Sequence, residues 1–210
     1  MNIKEIKKLK PILPWLDYHV FSMKLPEAHV LEFGVFKGRT INIFGRLLPN
    51  KIIHGFDSWI GLPSDWVKGP GSMRGKGSFI TPKPTVEANV KLYDGWIADT
   101  LPKWLEDNDG VVGLVHIDTD VYSSAKEILT LLNDRIVTDT IIIFDELAPL
   151  WDNSDGLGHP PHMVKKWQPH YDYYEDHEWK ALNEWLSEYG RKVKPFARDN
   201  LESASVIVEE

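Results

Sequence analysis

Residues 28–48, Ala28-His-Val-Leu-Glu-Phe-Gly-Val-Phe-Lys-Gly-Arg-Thr-Ile-Asn-Ile-Phe-Gly-Arg-Leu-Leu48, decide the fold. A short apolar run of strand type ends at Phe33, and Gly34 permits a sharp turn. A helical pattern begins after Gly38, with apolar residues at positions 41, 44 and 48. The stretch therefore predicts a strand, a tight glycine turn and a helix, the unit from which parallel α/β sheets are built.

The same turn predicts a ligand site. In a parallel α/β sheet it leaves backbone N–H groups and the positive end of a helix dipole facing the crevice at the carboxyl ends of the strands, where nucleotide-like ligands bind. Glu32 stands two residues before Gly34. A carboxylate there attracts a cationic part of a ligand and repels a phosphate.

Composition limits the class of protein. The chain has 210 residues with 42% hydrophobic content, enough for one sizeable core. Its formal net charge of −7 argues against a nucleic-acid partner. The absence of cysteine rules out disulfides, thiolate metal sites and a cysteine nucleophile. No apolar run is long enough to span a bilayer, and residues 1–10 make a poor signal peptide, so we expect a cytoplasmic protein without a membrane partner.

Two further turns add candidate cofactor contacts. The apolar run 51–57 ends in Asp57, roughly 20 residues beyond the glycine turn, where an acid in this kind of fold accepts hydrogen bonds from ribose hydroxyls. The alternative is an ordinary turn aspartate. The run 89–95 predicts a strand. The turn at Gly95 and Trp96 would offer its backbone to a base before a short helix that begins at Leu101.

The remaining organisation follows from composition. Residues 1–27 predict an N-terminal helical extension, packed against the sheet or against a partner subunit in a homo-oligomer. Residues 28–210 form the main domain.

The segment 60–88 is rich in glycine, proline and basic residues, which predicts an irregular, lid-like insertion over the crevice; a plain surface loop is the alternative. Apolar spacing in 179–189 predicts a helix, and 191–197 and 203–208 predict a closing antiparallel hairpin.

Carboxylates follow two strands of the predicted sheet centre. The nearly continuous apolar run 111–117 leads into Asp118 and Asp120, and the run from Thr138 ends in Asp145 and Glu146. Carboxylates gathered at one edge repel each other unless protons or a cation neutralise them. Oxygen ligands without cysteine favour a hard ion such as Mg²⁺, with Ca²⁺ or Mn²⁺ as alternatives. We predict metal binding for Asp118, Asp145 and Glu146, and a helix N-terminal role for Asp120.

Histidines in the segment 147–174 are candidates for a proton acceptor, because loops after central strands border the substrate. We name His159 and His162, with Asp118 as the alternative acceptor. The alternative for each is an ordinary solvated loop histidine, which is the more common case.

Five motifs carry a resemblance to a known family. The strand–helix order, the turn at 32–38, the acid at 57 and the terminal hairpin resemble the class I S-adenosylmethionine-dependent methyltransferases. More narrowly, the chain resembles the macrocin O-methyltransferase family in five segments: 31–35, 55–63, 95–102, 116–122 and 144–146. The resemblance implies a Rossmann-like, doubly wound α/β fold whose seven-stranded sheet is mostly parallel and ends in an antiparallel C-terminal hairpin.

The resemblance also implies an activity, the Mg²⁺-assisted transfer of a methyl group from S-adenosylmethionine to a hydroxyl of a small molecule, often a sugar of a natural product. The resemblance also assigns the site residues to two roles. Cofactor contacts would come from Glu32, Gly34, Gly38, Asp57, Ser58, Gly95 and Trp96, and metal ligands from Asp118, Asp145 and Glu146. The family usually has Asp-Asp where this chain has Asp145-Glu146.

Three alternatives belong to other classes. A metal-dependent glycosyltransferase would use Asp118-Thr-Asp120 to bind a sugar nucleotide, although Glu32 would repel its phosphates. A non-catalytic module would bind the cofactor without transferring its methyl group. A nicotinamide-dependent dehydrogenase would need Gly-x-Gly-x-x-Gly, whereas the turn here is Gly-x-x-x-Gly.

Overall fold

A computed structural model describes residues 1–12, 15–150, 173–199 and 201–209 of the chain. The helices are α1 Ile3–Lys7, α2 Trp15–Phe21, α3 Arg39–Leu47, α4 Ile97–Asp107, α5 Tyr122–Leu131 and α6 Glu178–Glu188. The strands are β1 His29–Phe33, β2 Ile53–Asp57, β3 Trp66–Gly69, β4 Ser72–Arg74, β5 Val90–Asp94, β6 Val112–Ile117, β7 Ile136–Phe144, β8 Lys192–Arg198 and β9 Ala204–Glu209. A 3₁₀ turn, Tyr174–Asp176, precedes α6.

Seven strands form one sheet in the order β5-β2-β1-β6-β7-β9-β8. The first five are parallel to one another, and β9 runs antiparallel to both β7 and β8. The strand order reverses between β1 and β6, which is the point of an open α/β sheet where ligands bind. The predicted fold class, a mostly parallel seven-stranded sheet with an antiparallel C-terminal hairpin, is confirmed.

Helices cover both faces of the sheet, so side chains of each central strand alternate between two apolar layers. Leu31 and Phe33 of β1 pack in the layer that contains α4, α5 and α6. Val30 packs on the other side, with Ile41 and Phe44 of α3. This alternation sends Glu32, which lies between Leu31 and Phe33, to the α3 side of the sheet.

Two segments differ in detail from the sequence prediction. Helix α4 begins at Ile97 and not at Leu101, since Trp96 already serves as its N-cap. The segment 60–88 contains an antiparallel hairpin, β3–β4, and is therefore not wholly irregular. Trp66 anchors this hairpin: it is 1% exposed and packs with Leu62 and Val121.

The N-terminal residues contain two short helices. Ile6 of α1 is fully buried in the main core. The carbonyl of Leu9 accepts a hydrogen bond from Arg198 Nε at 2.7 Å, which ties this segment to β8. Among the described residues, no helix is both long and apolar enough to cross a membrane.

Candidate active site

A cleft of about 820 Å³ of empty space opens beside the carboxyl ends of the parallel strands. Residues from the glycine turn, from the β2 and β5 ends, from the segment 60–88 and from the β6 and β7 ends line it together. They are Gly34, Phe36, Phe56, Asp57, Ser58, Gly61, Leu62, Pro63, Phe79, Gly95, Trp96, Ile97, Asp118, Thr119, Asp120, Ser124 and Glu146. The cleft therefore collects most of the residues that the sequence singled out.

The glycine turn lies against the end of β6. Gly34 has φ +86°, and a Cβ placed on it would come within 1.7 Å of the Asp118 carbonyl oxygen. The Asp118 N–H donates to the Phe33 carbonyl at 2.9 Å. Gly34 therefore lets β1 and β6 end side by side and brings Asp118 to the cleft.

Asp57 is held by the backbone around it. Its Oδ2 accepts from the Phe36 N–H and its Oδ1 from the Trp59 N–H, both at 2.8 Å. These bonds fix the carboxylate between the glycine turn and the end of β2. Each carboxylate oxygen has further acceptor capacity for a hydroxyl.

Two of the predicted cofactor residues lie away from the cleft lining. A Cβ on Gly38 would meet Pro84 and Asn42, so this glycine serves the start of α3, where it has φ +76°. Glu32 is 1% exposed, and its Oε2 lies 3.3 Å from His116 Nδ1. Burial raises the pKa of the Glu32 carboxyl, and the neighbouring His116 opposes the rise.

The structure divides the predicted metal residues into two overlapping groups. Ligand atoms of His116, Asp118 and Asp145 lie within 4.8 Å of one another, and so do those of Asp118, Asp120 and Glu146. Asp118 belongs to both groups. Asp120, predicted only as a helix N-terminal residue, is also in position to act as a ligand.

The electrostatics of this cluster are compatible with a bound cation. Burial raises the pKa of the Asp118 carboxyl well above its usual range, and the Asp145 carboxylate adds to the effect. Burial also raises the pKa of Glu146, reinforced by Asp120, and raises the pKa of Asp120 to about 7. Protons therefore compensate the buried charge in the absence of a metal, and a divalent cation would fit the same oxygen donors.

Two buried residues near the cluster were missed by the sequence analysis as site residues. Glu178, at the start of α6, accepts from the Glu146 N–H at 3.3 Å, and burial raises its pKa well above the usual value. No local pattern marks it, because it lies 32 residues beyond Glu146. His116 precedes Asp118 by two residues, and strand alternation puts both on one face, a signal that was available.

The candidate proton acceptors His159 and His162 lie outside the described residues. Asp118, the alternative acceptor, lines the cleft.

A doubly wound sheet of this strand order, with a glycine turn and an acid at the ends of its first two strands, defines a class I S-adenosylmethionine-dependent methyltransferase. The family model described as a methyltransferase domain matches residues 31–147, more than half of the chain. The chain belongs to this methyltransferase domain family and is an enzyme of that class.

Solved structures with the same fold include several methyltransferases. The calicheamicin methyltransferase CalS11 is 21% identical, with a TM-score of 0.62 over 91% of this chain and 76% of that one. The O-methyltransferase NovP is 15% identical, with a TM-score of 0.64 over 93% and 78%. TomG, an O-methyltransferase from Streptomyces achromogenes solved with S-adenosylmethionine, is 13% identical, with a TM-score of 0.53 over 96% and 82%. At these identities the likeness establishes the fold. No match was found among curated protein sequences.

Proposed function

We propose that this enzyme is an O-methyltransferase that transfers the methyl group of S-adenosylmethionine to a hydroxyl of a small molecule, a sugar or another natural product, with the help of Mg²⁺. One observation carries the proposal: a single cleft is lined both by five of the seven predicted cofactor residues and by carboxylates of a cluster suited to a cation. Family membership favours this function over the glycosyltransferase, dehydrogenase and non-catalytic alternatives.

The cofactor would occupy the part of the cleft between the glycine turn and Trp96. Asp57 would accept hydrogen bonds from the ribose hydroxyls, with Ser58 beside it. Gly95 and the half-exposed Trp96 would contact the base. Glu32 would act on the cationic amino-acid end only indirectly, because its carboxylate is buried against His116.

The acceptor would enter beside the acidic cluster. Four residues of the segment 60–88 line the cleft, which supports the proposal that this segment is a lid: Gly61, Leu62, Pro63 and Phe79. Among solved relatives of the fold, CalS11 is described as a TDP-rhamnose 3′-O-methyltransferase, which supports a sugar hydroxyl as one acceptor class here.

Methyl transfer requires that the acceptor hydroxyl be aligned with the methyl group and lose its proton. A sulfonium methyl group is already activated, so the chain has chiefly to place the acceptor oxygen in line with it and to lower the cost of removing the hydroxyl proton. Asp118, or a histidine at 159 or 162, would accept that proton. Of the three predicted ligands Asp118, Asp145 and Glu146, Asp118 is grouped with Asp145 and, separately, with Glu146, so it would hold Mg²⁺ together with one or the other. The ion when bound stabilises negative charge on the acceptor oxygen.

The test combines cofactor binding with turnover. Asp118→Asn and Asp145→Asn are each expected to lower methyl transfer by at least about 100-fold while S-adenosylmethionine affinity, measured by calorimetry, stays largely unchanged. Excess chelator should have the same effect on the unmodified enzyme, and added Mg²⁺ should restore turnover. Release of S-adenosylhomocysteine in the presence of a library of hydroxyl compounds would report activity.

Asp109→Asn is the matched control, because this aspartate is fully exposed and lies just before β6, at the opposite end of that strand from Asp118. Full activity of both site variants, or full activity in chelator, would remove the cation from the mechanism. Failure of the unmodified enzyme to bind S-adenosylmethionine would overturn the function itself.

A further inference from the structure

Three side chains form a row from the sheet core to the edge of the acidic cluster. Glu32 of β1 and His116 of β6 are register partners on adjacent strands, and both side chains are at most 2% exposed. Glu32 Oε2 lies 3.3 Å from His116 Nδ1. On the other side of the ring, His116 Nε2 lies 3.9 Å from Asp145 Oδ1.

This arrangement orients the imidazole. A carboxylate accepts a hydrogen bond, so Nδ1 donates to Glu32 and is not the nitrogen available to a cation. The opposite nitrogen, Nε2, then faces Asp118 and Asp145. It is buried and has no hydrogen-bond partner within the part of the chain that the structure describes. A buried polar atom without a partner is costly, and this one points into a set of ligand atoms that lie within 4.8 Å of one another.

We propose that His116 Nε2, together with the carboxylates of Asp118 and Asp145, is the ligand set for a divalent cation, and that Glu32 is the positioning residue for the imidazole. The inference rests on the proposed cation-assisted function and deepens it by naming a nitrogen ligand. A metal-bound histidine usually donates its other N–H to a carboxylate, as His116 is placed to do toward Glu32. The Asp145 side chain is 41% exposed, which gives a cation from solvent a path to the site.

The nitrogen ligand decides which metals the site prefers. The group Asp118, Asp120 and Glu146 offers oxygen alone and would suit Mg²⁺. A site with one imidazole and two carboxylates suits Mn²⁺, Fe²⁺ or Co²⁺ better. We therefore expect the full chain to bind Mn²⁺ at least about tenfold more tightly than Mg²⁺.

Pulsed electron paramagnetic resonance of Mn²⁺ bound to the full chain tests the proposal directly. Modulation from an imidazole nitrogen is expected in the unmodified enzyme and should be lost in His116→Gln, together with at least about tenfold in Mn²⁺ affinity. His54→Gln is the control, because His54 is also a buried strand histidine, 3% exposed, but lies on β2 outside the site. It should keep both the modulation and the affinity.

Glu32→Gln gives a second measurement if His116→Gln fails to fold, which circular dichroism would reveal. Losing the carboxylate that orients the ring is expected to weaken Mn²⁺ binding by about 10- to 100-fold. Mn²⁺ bound without nitrogen modulation in the unmodified enzyme would overturn this inference while leaving an oxygen-ligated catalytic cation intact. The proposed function fails by a different result, the absence of S-adenosylmethionine binding or methyl transfer.

Discussion

At the scale of single residues, the site depends on a close contact between two strand ends. Gly34 and Asp118 touch through backbone atoms where β1 and β6 finish. Any side chain at position 34 would push these ends apart, and Asp118 is the residue that both candidate ligand groups share. Position 34 therefore requires glycine for two reasons: the strand ends leave no room for a Cβ, and the backbone has a left-handed conformation that other residues rarely adopt.

Gly34→Ala separates these two requirements when it is compared with Gly190→Ala. Both glycines have positive φ, but a Cβ on Gly190 meets nothing within 4 Å. Gly190→Ala should cost only the left-handed strain, about 1–2 kcal/mol. Gly34→Ala adds a backbone overlap and should cost several times more, or prevent folding. Urea unfolding followed by tryptophan fluorescence gives both free energies; equal costs would contradict the packing role.

His19 gives the fold a pH dependence that can be isolated by substitution. Its Nδ1 lies 2.7 Å from the Trp15 carbonyl oxygen and its Nε2 2.7 Å from Ser205 Oγ, and burial lowers its pKa to about 4. The unfolded chain takes up this proton near pH 6.5, whereas the folded chain does not until about pH 4. The contribution of His19 to stability is thus complete above pH 6.5 and is lost as the pH falls toward 4.

His19→Gln removes that titration while keeping a donor and an acceptor. Between about pH 6.5 and pH 4 the unmodified protein should lose stability relative to the variant, by up to about 1.4 kcal/mol per pH unit. Above pH 6.5 the difference between the two proteins should be constant. Urea midpoints across this range measure it, and parallel pH profiles would exclude the proposed titration.

At the scale of elements, the strand–turn–helix unit is completed by a residue from a distant segment. Asn89, just before β5, directs its Nδ2 at the carbonyl oxygens of Gly45, Leu48 and Lys51, at 3.0, 3.0 and 2.9 Å. Carbonyls at a helix C-terminus have no partner within the helix. Asn89 therefore closes α3 and joins it to the start of β2, so the helix that follows the glycine turn is fixed at its far end.

Asn89→Asp is expected to lower the free energy of unfolding by about 2–3 kcal/mol. The substitution removes the donors and places a negative charge at the negative end of the helix dipole. Asn108→Asp is the matched control, since Asn108 Nδ2 donates to one carbonyl, Trp104 O, in the last turn of α4. Chemical denaturation measures both variants. A cost for Asn89→Asp no greater than that of the control would mean that the shared cap contributes little.

At the scale of the whole molecule, the fold gathers acidic residues from three separate elements. Asp118 and Asp120 follow β6, Asp145 and Glu146 follow β7, and Glu178 begins α6. Neighbouring carboxylates raise the pKa values of Asp118, Glu146 and Glu178 in addition to the effect of burial. Packing α6 against the sheet requires protons or a cation to neutralise this charge, so a cation at this place would stabilise the whole fold.

A divalent cation should therefore raise the melting temperature in the absence of any substrate. At about 100 times its dissociation constant, one bound ion adds about 2.7 kcal/mol, or roughly 5–10 °C for a chain of this size. Scanning calorimetry with and without Mg²⁺ or Mn²⁺ measures the shift, with sodium chloride at equal ionic strength as the control for screening. Asp118→Asn should abolish the shift, and an unchanged melting temperature in the unmodified protein would argue against the site.

The sequence by itself determined the architecture, because hydrophobic periodicity and glycine placement are local. Apolar runs such as 111–117 predicted buried parallel strands, and an acid after each strand predicted a cluster, since parallel strands end at the same edge of a sheet. That reasoning predicted that Asp57, Gly95, Asp118 and Glu146 lie at one edge of the sheet, and all four line the same cleft in the structure.

Only the tertiary structure decided how the acidic residues are grouped and which residues join them. Glu32 is the register partner of His116 on the neighbouring strand and is buried, and Glu178 reaches Glu146 through the packing of α6. Contacts between distant elements depend on how the helices pack on the sheet. No local pattern along the chain contains that information.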